Sequence, residues 1–311
     1  MCDKGTLLVT KEPSLVAKFH LPGLYEFYEF YKVFLPLFYE NREYFYDWAE
    51  IASIYGAPAD CIWGGGRISD ADVDTEDVLC LLSEYGISAR LTFSNSLIRN
   101  AHLADRKCNM VCRQFNESNK MNNGVIVHSD LLLDYLKEKY PNLYFVSSTT
   151  KVQTCFDELK REVNREEFSY VVPDFRLNKA LDQLNTLSVN EKKKIEFLCN
   201  ECCFIGCNDR KKCYENVSRK ILGEDCDEHI CRAPGGQNGY LFSDAMKNPA
   251  FISKDDIVTT YLPQGFTNFK IEGRGLGSAL ILEFILYYMV KPEYQLIVRE
   301  KTYLSSMLDL F

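Results

Sequence analysis

The sequence predicts a (β/α)8 TIM-like barrel with a cysteine-rich insertion before its last strands, and three observations carry that prediction. A short apolar run, a few polar or glycine residues and a helical pattern recur in that order along most of the chain. About eight such units occur, and strands that alternate with helices pair in parallel, which suits a closed barrel better than an open doubly wound sheet. No glycine-rich dinucleotide fingerprint follows any early strand, so the Rossmann alternative loses its main support.

The 311 residues suffice for one barrel of roughly 250 residues plus trimmings. With 46% apolar and 26% charged residues, the composition is that of an ordinary globular chain and not of a disordered one. No run of about 18 uncharged apolar residues appears, so no membrane span is expected. The first residues carry no apolar run of signal-peptide length, so the expectation is a cytoplasmic protein, whose thiols stay reduced. The net charge of −8 argues against a large nucleic-acid footprint.

Residues 15–20 (LVAKFH) read as the first strand, broken by Leu21, Pro22 and Gly23. From 24 to 55, Phe and Tyr recur at helical spacing with Glu between them. That pattern predicts one or two amphipathic helices with a kink or break at Pro36, and core packing for the aromatics. Residues 1–58 thus form an N-terminal strand and aromatic helical segment, part of the barrel or packed on it, and 59–311 form the barrel. Its strands are expected at 60–63, 89–93, 124–128, 144–148, 170–173, 195–199, 251–252 and 269–271. The helices between them are expected at 75–85, 130–140, 152–163 and 178–187.

In such a barrel the chemistry sits where strands run out into the loops before their helices. That rule selects residues 64–67, Asn95, 147–149, Asp174, Asn200 with Glu201, and 272–274. A flexible turn and a close backbone approach to a ligand both suit Gly64, Gly65 and Gly66. Asn95 and Asp174 also suit helix caps.

Residues 199–232 hold seven of the thirteen cysteines, packed among charged residues. In a reducing compartment such a cluster points to a thiolate-bound metal. Paired C-x2-C knuckles, the usual mark of structural zinc, are missing, and the looser spacing points to a 4Fe-4S cluster, with zinc as the alternative. Cys203, Cys207 and Cys231 are the first candidate ligands, and Cys213 or Cys226 the fourth. Cys199 and Cys202 read as packing residues, and His229 as a loop histidine. Arg210, Lys211, Lys212, Arg219 and Lys220 read as a solvated helix face.

The last strand carries a second signal. In residues 268–274 (NFKIEGR), Phe269 and Ile271 face the helices while Lys270 and Glu272 face the barrel interior, where charges are costly unless paired or functional. Gly275 and Gly277 lead into an apolar helix expected at 278–290. Their amides, with Arg274 beside them, are a candidate anion site for a substrate. Glu272, Lys270 and Arg274 are the candidate catalytic residues.

The FKIEGR string, preceded by SKDD at 253–256 and by a cysteine-rich stretch ending in CR at 231–232, resembles the collagenase-like peptidase family, peptidase family U thirty-two. The likeness covers about 200–274, and the NEC-x4-C form at 200–207 departs from that family's usual cysteine motif. The resemblance implies a TIM-like barrel that holds a 4Fe-4S cluster on cysteines. It also implies one of two activities, proteolysis or oxygen-independent hydroxylation of RNA bases or a quinone precursor with prephenate as oxygen donor. Some relatives work as paired subunits, so a protein partner or homo-oligomer is a further expectation, as is a non-catalytic accessory role. The acidic total favours a small-molecule or nucleotide substrate over a long RNA, and Arg274 with the glycine amides suits an anionic one.

Overall fold

The computed structural model describes residues 15–65, 73–118, 121–236 and 239–308. Eight parallel strands form one sheet: β1 (Ala17–Pro22), β2 (Ala49–Gly56), β3 (Ser88–Phe93), β4 (Gly124–Val127), β5 (Tyr144–Ser147), β6 (Phe168–Val171), β7 (Glu196–Leu198) and β8 (Asn268–Lys270). The strand order is β6-β5-β4-β3-β2-β1-β8-β7, and a parallel bridge between Val171 and Ile195 joins the two ends. The sheet is therefore a nearly closed (β/α)8 barrel, as expected.

Alternation sorts the strand residues. One set, including Phe19, Leu91, Val125, Phe197 and Phe269, packs outward beneath the helices in the main core. The other set points inward, where Tyr55, Ile126, Val146, Val172 and Leu198 form a second, smaller apolar cluster with Tyr144 and Tyr170 against it. The lumen is filled rather than hollow.

Most expected elements lie where the periodicity put them. The helix at 75–85 is Thr75–Glu84, with Asp74 accepting from the Glu76 amide as its cap, and that at 130–140 is Asp130–Lys139, capped by Ser129. The helix at 278–290 is Ser278–Met289.

Three expectations need correction. The stretch 24–55 is not all helix: a helix, Tyr28–Glu40, contains Pro36, and β2 follows from Ala49. The continuous aromatics concealed the change of period. Residues 60–63 form a turn, closed by the Gly64 amide on the Cys61 carbonyl (2.9 Å), and the apolar run exists because Cys61 and Trp63 are buried. Residues 251–252 are no strand either; the Ile252 amide reaches the Cys199 carbonyl (3.0 Å) from an irregular segment.

The helix expected at 152–163 starts late, at Phe156, because Val152 takes the left-handed conformation (φ 53°). That expected at 178–187 is one turn, Leu181–Leu184. Because β1 and β2 are barrel strands, the described part of the expected N-terminal segment, 15–58, supplies the first β/α/β unit of the same barrel. Among the described residues no helix is long and apolar enough to cross a membrane.

Candidate functional site

Four ionisable side chains from four strands meet inside the barrel. Glu196 on β7 accepts from Arg90 on β3 (2.5 Å) and from Lys270 on β8 (3.3 Å), and lies 3.6 Å from His20 on β1. All are buried. Burial opposes the charge on Glu196, but Arg90, His20 and Lys270 more than offset it and hold the carboxyl well below the usual range. Lys270 faces the barrel interior, as alternation along its strand predicts. It is paired there with Glu196, because the two residues face inward from neighbouring strands, and it lies 3.5 Å from the centroid of the Tyr55 ring. Burial first, then Arg90 and Arg274, pull its ammonium down to about 8 against Glu196.

Above this layer, at the carboxyl ends of the strands, a cavity of about 890 Å³ opens. It is lined by Cys202, Cys203, Cys207, Cys213 and Cys231 of the insertion and by Lys270, Glu272 and Arg274 of the last strand and its loop. Four of the five candidate ligands thus share one cavity with the three candidate catalytic residues. Cys226 does not line it; the Asn216 amide lies 3.7 Å from its sulfur. Cys202, read from the sequence as packing, does line it. Cys199 packs, fully buried, just past the end of β7.

The insertion is fastened to the barrel by strand-end residues. Glu201 accepts from the Cys202 and Cys203 amides (3.0 Å each) and from Arg210 (2.6 Å). Burial works against its charge, yet Arg210 holds the carboxyl down to about 2. Arg210 was expected on a solvated face with Lys211, Lys212, Arg219 and Lys220. Those four are exposed, but Arg210 is buried between Glu201 and Asp174 (3.5 Å). Its Nε and Nη1 have no hydrogen-bond acceptor, and the side chain lines the cavity beside Cys203.

Asp174 caps a short turn and grips Arg176, which donates to the Cys207 carbonyl (2.9 Å). Asn95 reaches out to the Ser218 carbonyl (3.3 Å) in the helix Arg210–Ile221 and to the Ile62 carbonyl (3.0 Å). Asn200 clasps the Glu272 backbone, accepting from its amide (2.7 Å) and donating to its carbonyl (3.0 Å). The strand-end rule thus found the struts of the site, where cap readings alone would have undersold Asn95.

The expected anion site at Gly275 and Gly277 is not formed. Both glycines are exposed and outside the cavity, and the Gly275 amide already donates to the Glu26 carboxylate (2.8 and 3.0 Å). Arg274 instead donates to the Gly65 carbonyl (3.2 Å) while lining the cavity. Gly66 and Arg67 lie outside the described residues. Ser148 and Thr149 belong to the selected strand-end set 147–149, but Glu196, His20, Arg90 and Thr92 were missed in the sequence. Their only signal was alternation within runs already read as strands.

Among the described residues, no three His, Cys, Asp or Glu side chains stand close enough to hold a single metal ion. The donor set nonetheless suits a larger sulfur-ligated group in kind. Burial first, then neighbouring Cys207 and Cys231, push the Cys213 thiol up to about 11, so these sulfurs share one local field. Arg210, whose Nη1 has no acceptor, supplies a donor and positive charge at the same wall. Gly236 leaves room for the Cys231 sulfur, which any side chain there would meet.

No family model matches the chain, and no curated protein matches it. The solved structure of the U32 peptidase Mk0906 is similar to it, with a TM-score of 0.50 at 13% identity, over 84% of this chain and 94% of that one. At that identity the likeness is distant and shows the fold alone, the barrel that the sequence resemblance implied.

Proposed function

We propose that the protein is an enzyme that holds an iron–sulfur cluster on Cys203, Cys207, Cys213 and Cys231 at the barrel mouth. Its reaction is redox chemistry of the oxygen-independent hydroxylation type, on a small anionic molecule or nucleotide. The observation that carries this reading is the single cavity shared by those cysteines and by Lys270, Glu272 and Arg274. A barrel whose top were filled would favour a non-catalytic accessory role; this one is open at the end where barrel enzymes work.

Held on four cysteines, a cluster would supply electron transfer to a molecule in the cavity. The protein's own groups do the rest. Arg210 places positive charge beside thiols that must lose protons to become ligands. Lys270 and Arg274 draw the anionic end of a substrate towards the floor. Glu272, held through its backbone by Asn200, is the general acid or base at the wall. The loose sequence spacing of the cysteines, without paired C-x2-C knuckles, supports a cluster over zinc.

Two variants of the anaerobically purified protein test the ligand set. The double variant Cys207→Ser, Cys213→Ser loses brown colour, iron and labile sulfide, and Cys226→Ser keeps them. Loss in both or in neither overturns the assignment. The name of the structural neighbour supports a second reading as a peptidase, with Glu272 beside Glu201 as the acting carboxyl. Cleavage of gelatin that Glu272→Gln abolishes without loss of fold would establish it.

A further inference from the structure

The ends of β3 and β5 carry a group of hydroxyls into the cavity that the cysteines also line. Thr92 and Ser94 line the cavity, are 3% and 2% exposed, and have no hydrogen-bond partner for either hydroxyl. A buried hydroxyl left unpaired gives up the hydrogen bonds it made in water, so two at one place in a cavity wall call for a reason. Ser148, also in the wall and 5% exposed, accepts from the Thr150 amide (3.2 Å) and the Thr150 hydroxyl (2.9 Å). Thr150 is in turn held by the His128 ring (2.9 Å). With both bonds to Ser148 arriving as donors, its own proton is left for a group in the cavity.

We propose that Thr92, Ser94 and Ser148 form a subsite for the hydroxyl groups of a sugar, so that the cavity takes a sugar phosphate or nucleotide with its anion towards Lys270 and Arg274. This rests on reading the cavity as the substrate site, and not on what the cysteines hold. A second anion does not suit the hydroxyl wall. Neither Lys151, paired with Glu162, nor Arg90, paired with Glu196, lines the cavity as Lys270 and Arg274 do. His128 is kept neutral by burial first and then by Lys151 and Lys211, with a pKa of about 4.

A carbonyl would satisfy only donors. Thr92 and Ser94 each need a partner that donates and accepts, as a sugar hydroxyl does. Thr92 and Ser94 project from one face of a strand end, roughly 6–7 Å apart by strand geometry. Ile126 lines the wall from the intervening strand, between them and Ser148, and offers an apolar surface to the ring between its hydroxyls.

Calorimetric titration of the anaerobically purified protein with ribose 5-phosphate and with inorganic phosphate tests the assignment. Ribose 5-phosphate binds at least about tenfold more tightly than phosphate. Thr92→Val and Ser94→Ala each weaken the sugar phosphate by roughly 3- to 10-fold and leave phosphate unchanged. The same variants melt at an unchanged or higher temperature, because each removes an unpaired buried hydroxyl. Equal affinity for the two anions, no binding of either, sugar-phosphate binding indifferent to both substitutions, or a lower melting temperature in both variants overturns the subsite. Iron and sulfide assayed on the same samples separate the two readings. A protein without cluster that still prefers the sugar phosphate sinks the cluster alone, and a loaded protein without that preference sinks the subsite alone.

Discussion

Glu196 is the residue on which the barrel interior depends, since it answers three cationic or protonatable partners with one carboxylate. Glu196→Ala leaves Arg90 and Lys270 buried without it and is expected to cost about 3–5 kcal/mol, read as a lower urea midpoint. His20 gives the same layer a pH signature. Burial first, then Arg90 and Lys270, lower its ring from 6.5 to about 3 against the pull of Glu196. Between those values the unfolded chain binds a proton that the folded chain does not. Stability therefore falls as pH drops from about 6.5 towards 3, by about 1.4 kcal/mol per pH unit where the slope is full. Urea unfolding at about pH 7 and about pH 5.5 should show the loss, and His20→Gln should shrink it. The inward turn of Lys270 was legible from alternation in one strand. Its partner was not, because Arg90 and Lys270 meet Glu196 across 106 and 74 residues only once the barrel closes.

The helix Arg210–Ile221 carries Cys213 and lies outside the barrel repeat, so its position depends on a few polar contacts. Asn95 binds its backbone at Ser218, while the Ser218 hydroxyl accepts from the Ser96 amide (3.1 Å). Asn95→Ala is expected to loosen this helix by about 1–3 kcal/mol. Hydrogen exchange should rise across 210–221 and stay slow in β3 and β4; uniform acceleration of both would show that Asn95 supports the barrel instead. Helices with one apolar stripe, such as Thr75–Glu84, were legible because burial on one face writes a period into the sequence. β2 was not, since the aromatic run before it carries no change of composition at the boundary. Arg210 was misread because a charged residue at a helix start looks solvated until its partners, Asp174 and Glu201, are seen to enclose it.

At the scale of the whole molecule, the barrel gathers what the chain keeps apart. Four candidate ligand cysteines of the insertion and the hydroxyls at the ends of β3 and β5 come to line one cavity, and the helix that carries Cys213 is tied to the end of β3. That a metal site lies in this stretch is a reading of cysteine density. Which cysteines share a space followed only from the path of the insertion, which turns Cys213 inward and leaves Cys226 outside. The central claim is that these thiols hold an iron–sulfur cluster, and the most direct test is the iron, labile sulfide and zinc content of the protein purified without oxygen. The account predicts a brown protein with about four irons and four sulfides per chain. A colourless protein with one zinc per chain and no iron would contradict it.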